Sequence, residues 1–370
     1  MPGIYIHIPF CKQACHYCNF HFSTSLKQKD ELIHALIKEI NLTIPTTEVI
    51  ETLYFGGGTP SILTIDDLQL IFDALQKRFV FANNVEITLE ANPDDITDEK
   101  LSDWKRIGIN RFSIGIQSFL NEELVWMNRA HNAEESLKCI DKVREAGFDN
   151  FSVDLIYGSP LLNNDDWKRN VDIVIEKNIP HISCYALTVE PKTALDKLIA
   201  QHKSASVDTE KQAQQFLLLM DWMQQVGYDH YEISNYAKPG KHSKHNSSYW
   251  QGKHYFGFGP SAHSYDGKSR RWNISNNALY IQSLQNNQLN FEEEVLTETQ
   301  MLNEYIMTSL RTMEGLSLDV VSAKFGKDKS EKLKVKSEKW NNKISFINSS
   351  IRLTNEGKLF ADGIAADLFF

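Results

Sequence analysis

Ile4-Tyr5-Ile6-His7-Ile8-Pro9-Phe10-Cys11-Lys12-Gln13-Ala14-Cys15-His16-Tyr17-Cys18 is the stretch on which the fold turns. Its β-branched and aromatic opening predicts a strand over Ile4–Ile8. A loop with three cysteines in eight residues follows directly. Working outward, the same unit recurs through the first 190 residues: a short β-branched or aromatic run, a loop, then an amphipathic helix. Further strands are predicted at Thr52–Phe55, Val85–Glu90, Arg111–Ile116, Phe151–Ile156 and His181–Leu187. The helices between them are Lys29–Leu42, Asp66–Phe79, Asp98–Ile107, Ala133–Ala146 and Asp165–Lys177.

In Asp66–Phe79, Leu68, Ile71, Phe72 and Leu75 recur at helical spacing. Gly147 stands where a helix C-cap glycine belongs. Strands alternating with helices predict an α/β fold with a parallel sheet and right-handed crossovers. Six units fall short of a closed eight-unit barrel, which leaves a partial barrel or an open sheet. The notable polar residues lie at or just after strand ends, where both architectures bind ligands.

From Val207 the pattern loosens into a helix to about Gln225 and a Tyr-, His- and Gly-rich stretch from Tyr228 to Asp266. Beyond Glu292, helices are expected near Leu296–Met313, Ser317–Phe325 and Lys329–Trp340. A hairpin across Ile344–Leu353 and a last helix from Asn355 complete a winged-helix-like unit. Two domains are therefore expected, 1–280 and 290–370, as suits 370 residues.

A formal charge of -9 announces no global basic field for nucleic acid. The eight lysines of Lys324–Lys343 are interleaved with Asp328, Glu331 and Glu338 and read as a solvated helix face. Met1–Phe10 has neither the basic start nor the long apolar run of a signal peptide. No uncharged apolar stretch approaches the roughly 18 residues of a membrane span. A cytoplasmic protein is expected. Cys139 and Cys184 stand alone and read as buried thiols.

Three thiolates spaced C-x3-C-x2-C can hold three irons of a cubane, leaving the fourth open to a ligand. A structural zinc with His16 or His21 as fourth ligand, or incidental loop cysteines, are the alternatives. Structural zinc normally shows two close cysteine pairs, and one triplet exists here. Gly56-Gly57-Gly58-Thr59-Pro60 ends the second strand and lets backbone approach a ligand. Alone it is better explained by plain turn chemistry, and it lacks the glycine patterns of nucleotide-binding loops.

Together, the cysteine loop and Gly57-Gly58-Thr59-Pro60 resemble radical S-adenosylmethionine enzymes. More narrowly, Tyr5–Cys11, Glu90-Ala91-Asn92-Pro93, Gly115–Phe119, Arg129-Ala130-His131 and Asp154–Gly158 resemble the oxygen-independent coproporphyrinogen III oxidase group, over nearly the whole chain. The coproporphyrinogen dehydrogenases of that group carry a fourth cysteine two residues after the third, where Phe20 stands. His245-Asn246-Ser247-Ser248-Tyr249-Trp250 instead resembles the HNxxYW signature of the HemW-type haem-chaperone branch.

The resemblance implies a partial (β/α)6 barrel with a small, mainly helical, winged-helix-like C-terminal domain. It implies that Cys11, Cys15 and Cys18 hold a [4Fe–4S] cluster whose free iron is chelated by the amine and carboxylate of S-adenosylmethionine. Gly57, Gly58 and Thr59 would meet the ammonium, Glu90 the ribose and Arg129 the carboxylate, for which a guanidinium fork is apt. Gln117 and Asp154 would bind the nucleoside; Tyr5, Tyr17 and Thr188 would line the methionyl and adenine regions. Taken singly, Glu90 or Asp154 would pass for a cap or loop residue. The chemistry implied is reductive cleavage to methionine and a 5′-deoxyadenosyl radical that abstracts hydrogen.

His245 would be a haem axial ligand, with His254 and His263 as rivals and Tyr249 and Trp250 offering aromatic faces. The competing view of Tyr228–His263 is a packing segment. The expected function is haem binding and delivery; the rival is coproporphyrinogen III dehydrogenation, and a cluster-bearing nucleic-acid sensor is a third class. The implied partners are haem, haem-acceptor proteins, an electron donor such as a flavodoxin or ferredoxin, and a membrane surface at the periphery; nucleic acid is not among them.

Overall fold

The computed structural model describes residues 2–44 and 46–370. Six parallel strands lie side by side in chain order: β1 (Gly3–Ile8), β2 (Ile50–Gly57), β3 (Phe81–Ala91), β4 (Arg111–Gln117), β5 (Phe151–Tyr157) and β6 (His181–Ala186). Helices Lys29–Leu42, Ile65–Arg78, Asp98–Arg106, Ala133–Glu145 and Asn164–Glu176 connect them, each within a residue of its expected position.

Local chemistry explains these boundaries. Thr64 Oγ1 accepts from Asp67 N at 3.2 Å while Asp67 Oδ2 accepts from Thr64 N at 3.0 Å, closing a capping box that starts Ile65–Arg78. The apolar stripe of that helix is buried, with Phe72 against Phe55 of β2 at 5.3 Å between ring centres. Asn132 and Glu135 form the same box before Ala133–Glu145, and Gly147 ends that unit at φ +79°.

The sheet is open rather than closed, and both edges are extended beyond what the sequence pattern conveyed. β7 (Asp229–Glu232) and β8 (Asn235–Ala237) add antiparallel to β6. On the other side, β9 (Tyr255–Phe258) pairs parallel with β1, followed by β10 (His263–Tyr265), β11 (Ser269–Asn273) and β12 (Phe291–Val295). One apolar core runs from Ile4 to Leu284. A second gathers around Leu302, Ile306, Leu333 and Ile364, where helices enclose β13 (Leu316–Ser317), β14 (Ile344–Ile347) and β15 (Ser350–Leu353). Among the described residues, no helix is long and apolar enough to cross a membrane.

Two details aim the carboxyl ends of the strands. Gly58 N donates to Ile8 O at 2.9 Å and Thr59 N to Phe10 O at 2.7 Å, strapping the glycine turn to the chain entering Cys11. Between Ile114 and Gln117 the β4–β5 register slips and Gln117 takes φ +70°. Such a bulge re-aims side chains where pairing ends.

Candidate functional site

A cavity of about 1000 Å³ opens at the carboxyl ends of the strands. Twelve residues expected from the sequence line it: Cys11, Cys15, Tyr17, Cys18, Gly57, Gly58, Thr59, Glu90, Gln117, Arg129, Asp154 and Thr188. Tyr5 and His245 do not.

The cysteine loop is held from outside its sequence. Gln13 Nε2 donates to Asn128 Oδ1 at 2.7 Å, and Asn128 Nδ2 returns a bond to Ala14 O at 2.7 Å. Lys12 pairs with Asp94 at 2.7 Å. No three His, Cys, Asp or Glu side chains among the described residues converge on one ion position. The two histidines offered as a fourth zinc ligand are engaged elsewhere: His16 Nδ1 lies 2.8 Å from Trp126 O, and His21 Nε2 2.8 Å from Asn277 Oδ1. Three loop thiols around open space suit a cubane, in which each thiolate takes a different iron.

Beside them, a Cβ on Gly58 would come within 2.6 Å of Phe10 O and 3.0 Å of the Cys11 sulfur, so only glycine keeps this cradle open. Arg129 donates from Nη2 to Gly115 O at 2.6 Å and Asn92 Oδ1 at 2.8 Å, and from Nη1 to the Cys15 sulfur at 3.2 Å. Its buried Nε has no partner. Glu90 accepts from Tyr54 Oη at 2.8 Å and Gly57 N at 3.2 Å. Burial, with Asp154 adding repulsion, pushes its carboxyl up to about 7. Burial likewise pushes Asp154 to about 6, against hydrogen bonds from the hydroxyls of Ser183 and of Ser113, the latter at 3.3 and 3.4 Å. A thiol triad, a glycine cradle, an incompletely paired guanidinium and two carboxyls pushed up by burial fit a cluster with a cofactor bearing ammonium, carboxylate and ribose groups.

Residues 5–174 match the radical SAM superfamily, and residues 296–360 match the HemN C-terminal domain. The heme chaperone HemW of Bacillus subtilis is 34% identical, over 98% of both chains. The chain belongs to the HemW family. Its likeness to HemW of Mycobacterium tuberculosis is 31% over 99% of this chain and 94% of that protein, and to HemW of Escherichia coli 35% over 70% and 69%. In fold it is similar to coproporphyrinogen III oxidase (HemN) of Escherichia coli, with a TM-score of 0.86, 23% identity and coverage of 100% of this chain and 90% of that one.

His245, the expected axial ligand, stands away from the cavity. It is 1% exposed and sits by Gly3 and Thr52, at the amino ends of β1 and β2. β1 alone spans roughly 16 Å at about 3.3 Å per residue, so the cysteine loop lies at the far end of the sheet. Nδ1 is 2.8 Å from Thr52 Oγ1 and Nε2 is 2.9 Å from Tyr249 Oη, so neither nitrogen is free for iron. The rivals His254 and His263 also lie outside the cavity lining, which holds no histidine among the described residues. Trp250 packs under Arg311 at 5.7 Å, stitching the two cores together. Tyr5 lies outside the cavity lining, beside the stacked pair of Tyr54 and His245, with its hydroxyl 3.2 Å from His7 Nδ1.

The sequence reading also missed cavity residues. Tyr157 and Tyr185 stand at the ends of β5 and β6, a position that could have signalled them. Phe216, Arg311, Lys358 and Phe360 reach the cavity only through tertiary packing. Cys139 and Cys184 are buried in the core.

Proposed function

We propose that this chain binds haem and delivers it to acceptor proteins, carrying a [4Fe–4S] cluster and S-adenosylmethionine at the strand ends. The observation that carries this reading is Phe20, 69% exposed and lining the cavity mouth two residues after Cys18. It takes the place of the dehydrogenases' fourth cysteine and turns that lip of the cavity apolar, as a planar aromatic cargo requires. When bound, the cluster and its cofactor supply one-electron chemistry. The protein's part is local. Cys11, Cys15 and Cys18 hold the cluster, the Gly57–Thr59 turn and Arg129 orient the amino-acid end, and Glu90, Gln117 and Asp154 hold the nucleoside. Tyr17 and Thr188 complete the walls. A flavodoxin- or ferredoxin-type electron donor, a cytoplasmic setting and a peripheral membrane contact belong to the same reading.

The test is an anaerobic reaction of the reconstituted protein with coproporphyrinogen III, reductant and S-adenosylmethionine, beside a haem titration followed optically. Saturable haem binding without vinyl-bearing product is expected. Turnover to protoporphyrinogen would replace this reading by the dehydrogenase one.

A further inference from the structure

The C-terminal unit gives the cavity two cations that are held very differently. Arg311 is ion-paired to Asp362 and lies over Trp250. Lys358 has no carboxylate partner among the described residues, and neither Glu90 nor Asp154 bears on it. Its Nζ is instead 2.8 Å from Nδ1 of His230, on β7. His230 Nε2 lies 3.1 Å from Ile233 O and its ring stacks on Tyr236 at 4.1 Å. With the Nε2–H given to that carbonyl, Nδ1 is left as an acceptor. Burial and the neighbouring ammonium push His230 down to about 3, so the imidazole stays neutral.

A neutral acceptor therefore fixes the ammonium without cancelling its charge, and two of its three hydrogens remain to donate. Burial brings Lys358 down to about 8, which leaves it mainly protonated near neutral pH. Next to it, Phe216, Ile233, Leu359 and Phe360 form an apolar wall. A desolvated cation beside such a wall suits a ligand with a broad apolar body and a carboxylate edge.

We infer that Lys358 is the carboxylate anchor of the cargo, receiving a propionate of the tetrapyrrole, with His230 as its positioning residue. This rests on the haem-binding reading above.

Titrations of haem and of its dimethyl ester into the wild-type protein, Lys358→Met and Lys358→Arg test it. A charged hydrogen bond of this kind predicts that the wild type prefers haem to the ester by about ten- to a hundredfold. Lys358→Met should bind both compounds alike, at the ester's affinity, while Lys358→Arg keeps a preference for haem. Equal wild-type affinities for the two compounds, or an undiminished preference in Lys358→Met, would overturn the anchor and leave haem binding standing. Failure of the wild type to bind either compound would overturn both readings. If Lys358→Met does not fold, Lys358→Gln is read in the same way: loss of the preference for haem supports the anchor, and an undiminished preference overturns it.

Discussion

At the amino ends of β1 and β2, His245 engages both ring nitrogens, and Glu86 accepts the backbone N–H groups of Lys244 at 3.2 Å and His245 at 3.0 Å. At the carboxyl ends, Arg129 keeps an unpaired Nε, and the glycine turn leaves a cradle beside the Cys11 sulfur. Both ends are buried and both perturb ionisation: burial holds His245 down to about 3 as it holds Glu90 up to about 7. Perturbation therefore does not separate a site from a structural knot here. Pairing separates these two ends: both ring nitrogens of His245 are bonded, whereas Arg129 keeps an unpaired Nε beside the glycine cradle.

The largest expected effect breaks the carboxyl end alone. Cys15→Ala leaves two thiolates, too few to fix a cubane on this loop, so iron and sulfide content after anaerobic reconstitution should fall to background. The unfolding midpoint should stay near that of the unreconstituted wild type. The loop is stapled through Gln13 and Asn128, and the main core does not include Cys15. Full iron loading of Cys15→Ala would remove the three cysteines as the ligand set.

His245→Ala breaks the other end. It leaves Thr52 Oγ1 and Tyr249 Oη without their partner and removes a ring stacked on Tyr54 at 4.8 Å. A loss of about 2–4 kcal/mol in denaturant unfolding is expected, with the haem spectrum and affinity of the folded protein unchanged. A shifted Soret band at unchanged stability would restore the axial-ligand assignment and collapse the contrast between the two ends.

The parts of the fold set by local rules were legible in the chain. Alternating runs, the apolar periodicity of Asp66–Phe79 and the glycine at 147 are short-range signals, and they place six strands and five helices. The site was legible for a related reason. In a parallel sheet every strand ends on the same side, so Gly58, Glu90, Gln117 and Asp154 had to meet. His245 was misplaced because a motif's residue types do not say which end of the sheet the chain has returned to. β9 to β12 were missed because runs of three to five residues become strands only against an existing edge. Lys358 and His230 are 128 positions apart, and their pairing depends on how the two cores dock.

The smallest effect is a slope in pH, and it sharpens the contrast within the cavity itself. In the cofactor-free protein the Glu90 carboxyl titrates near 7 instead of its ordinary 4.5, so folding favours the protonated acid. Its stabilising contribution is full below about 4.5 and is lost as pH rises through 7, a swing of at most about 3 kcal/mol. Glu90→Gln keeps the shape of the protonated acid and does not titrate. It also changes what Tyr54 Oη and Gly57 N can donate to, which adds an offset independent of pH. The expected outcome is therefore a slope: the stability of Glu90→Gln relative to wild type should rise between pH 5 and pH 8, measured as unfolding free energy at each pH. Asp154 is pushed in the same direction in both proteins and largely cancels. A difference that stays flat across this range would mean that Glu90 ionises there without penalty, and the carboxyl end would then be as fully satisfied as the knot around His245.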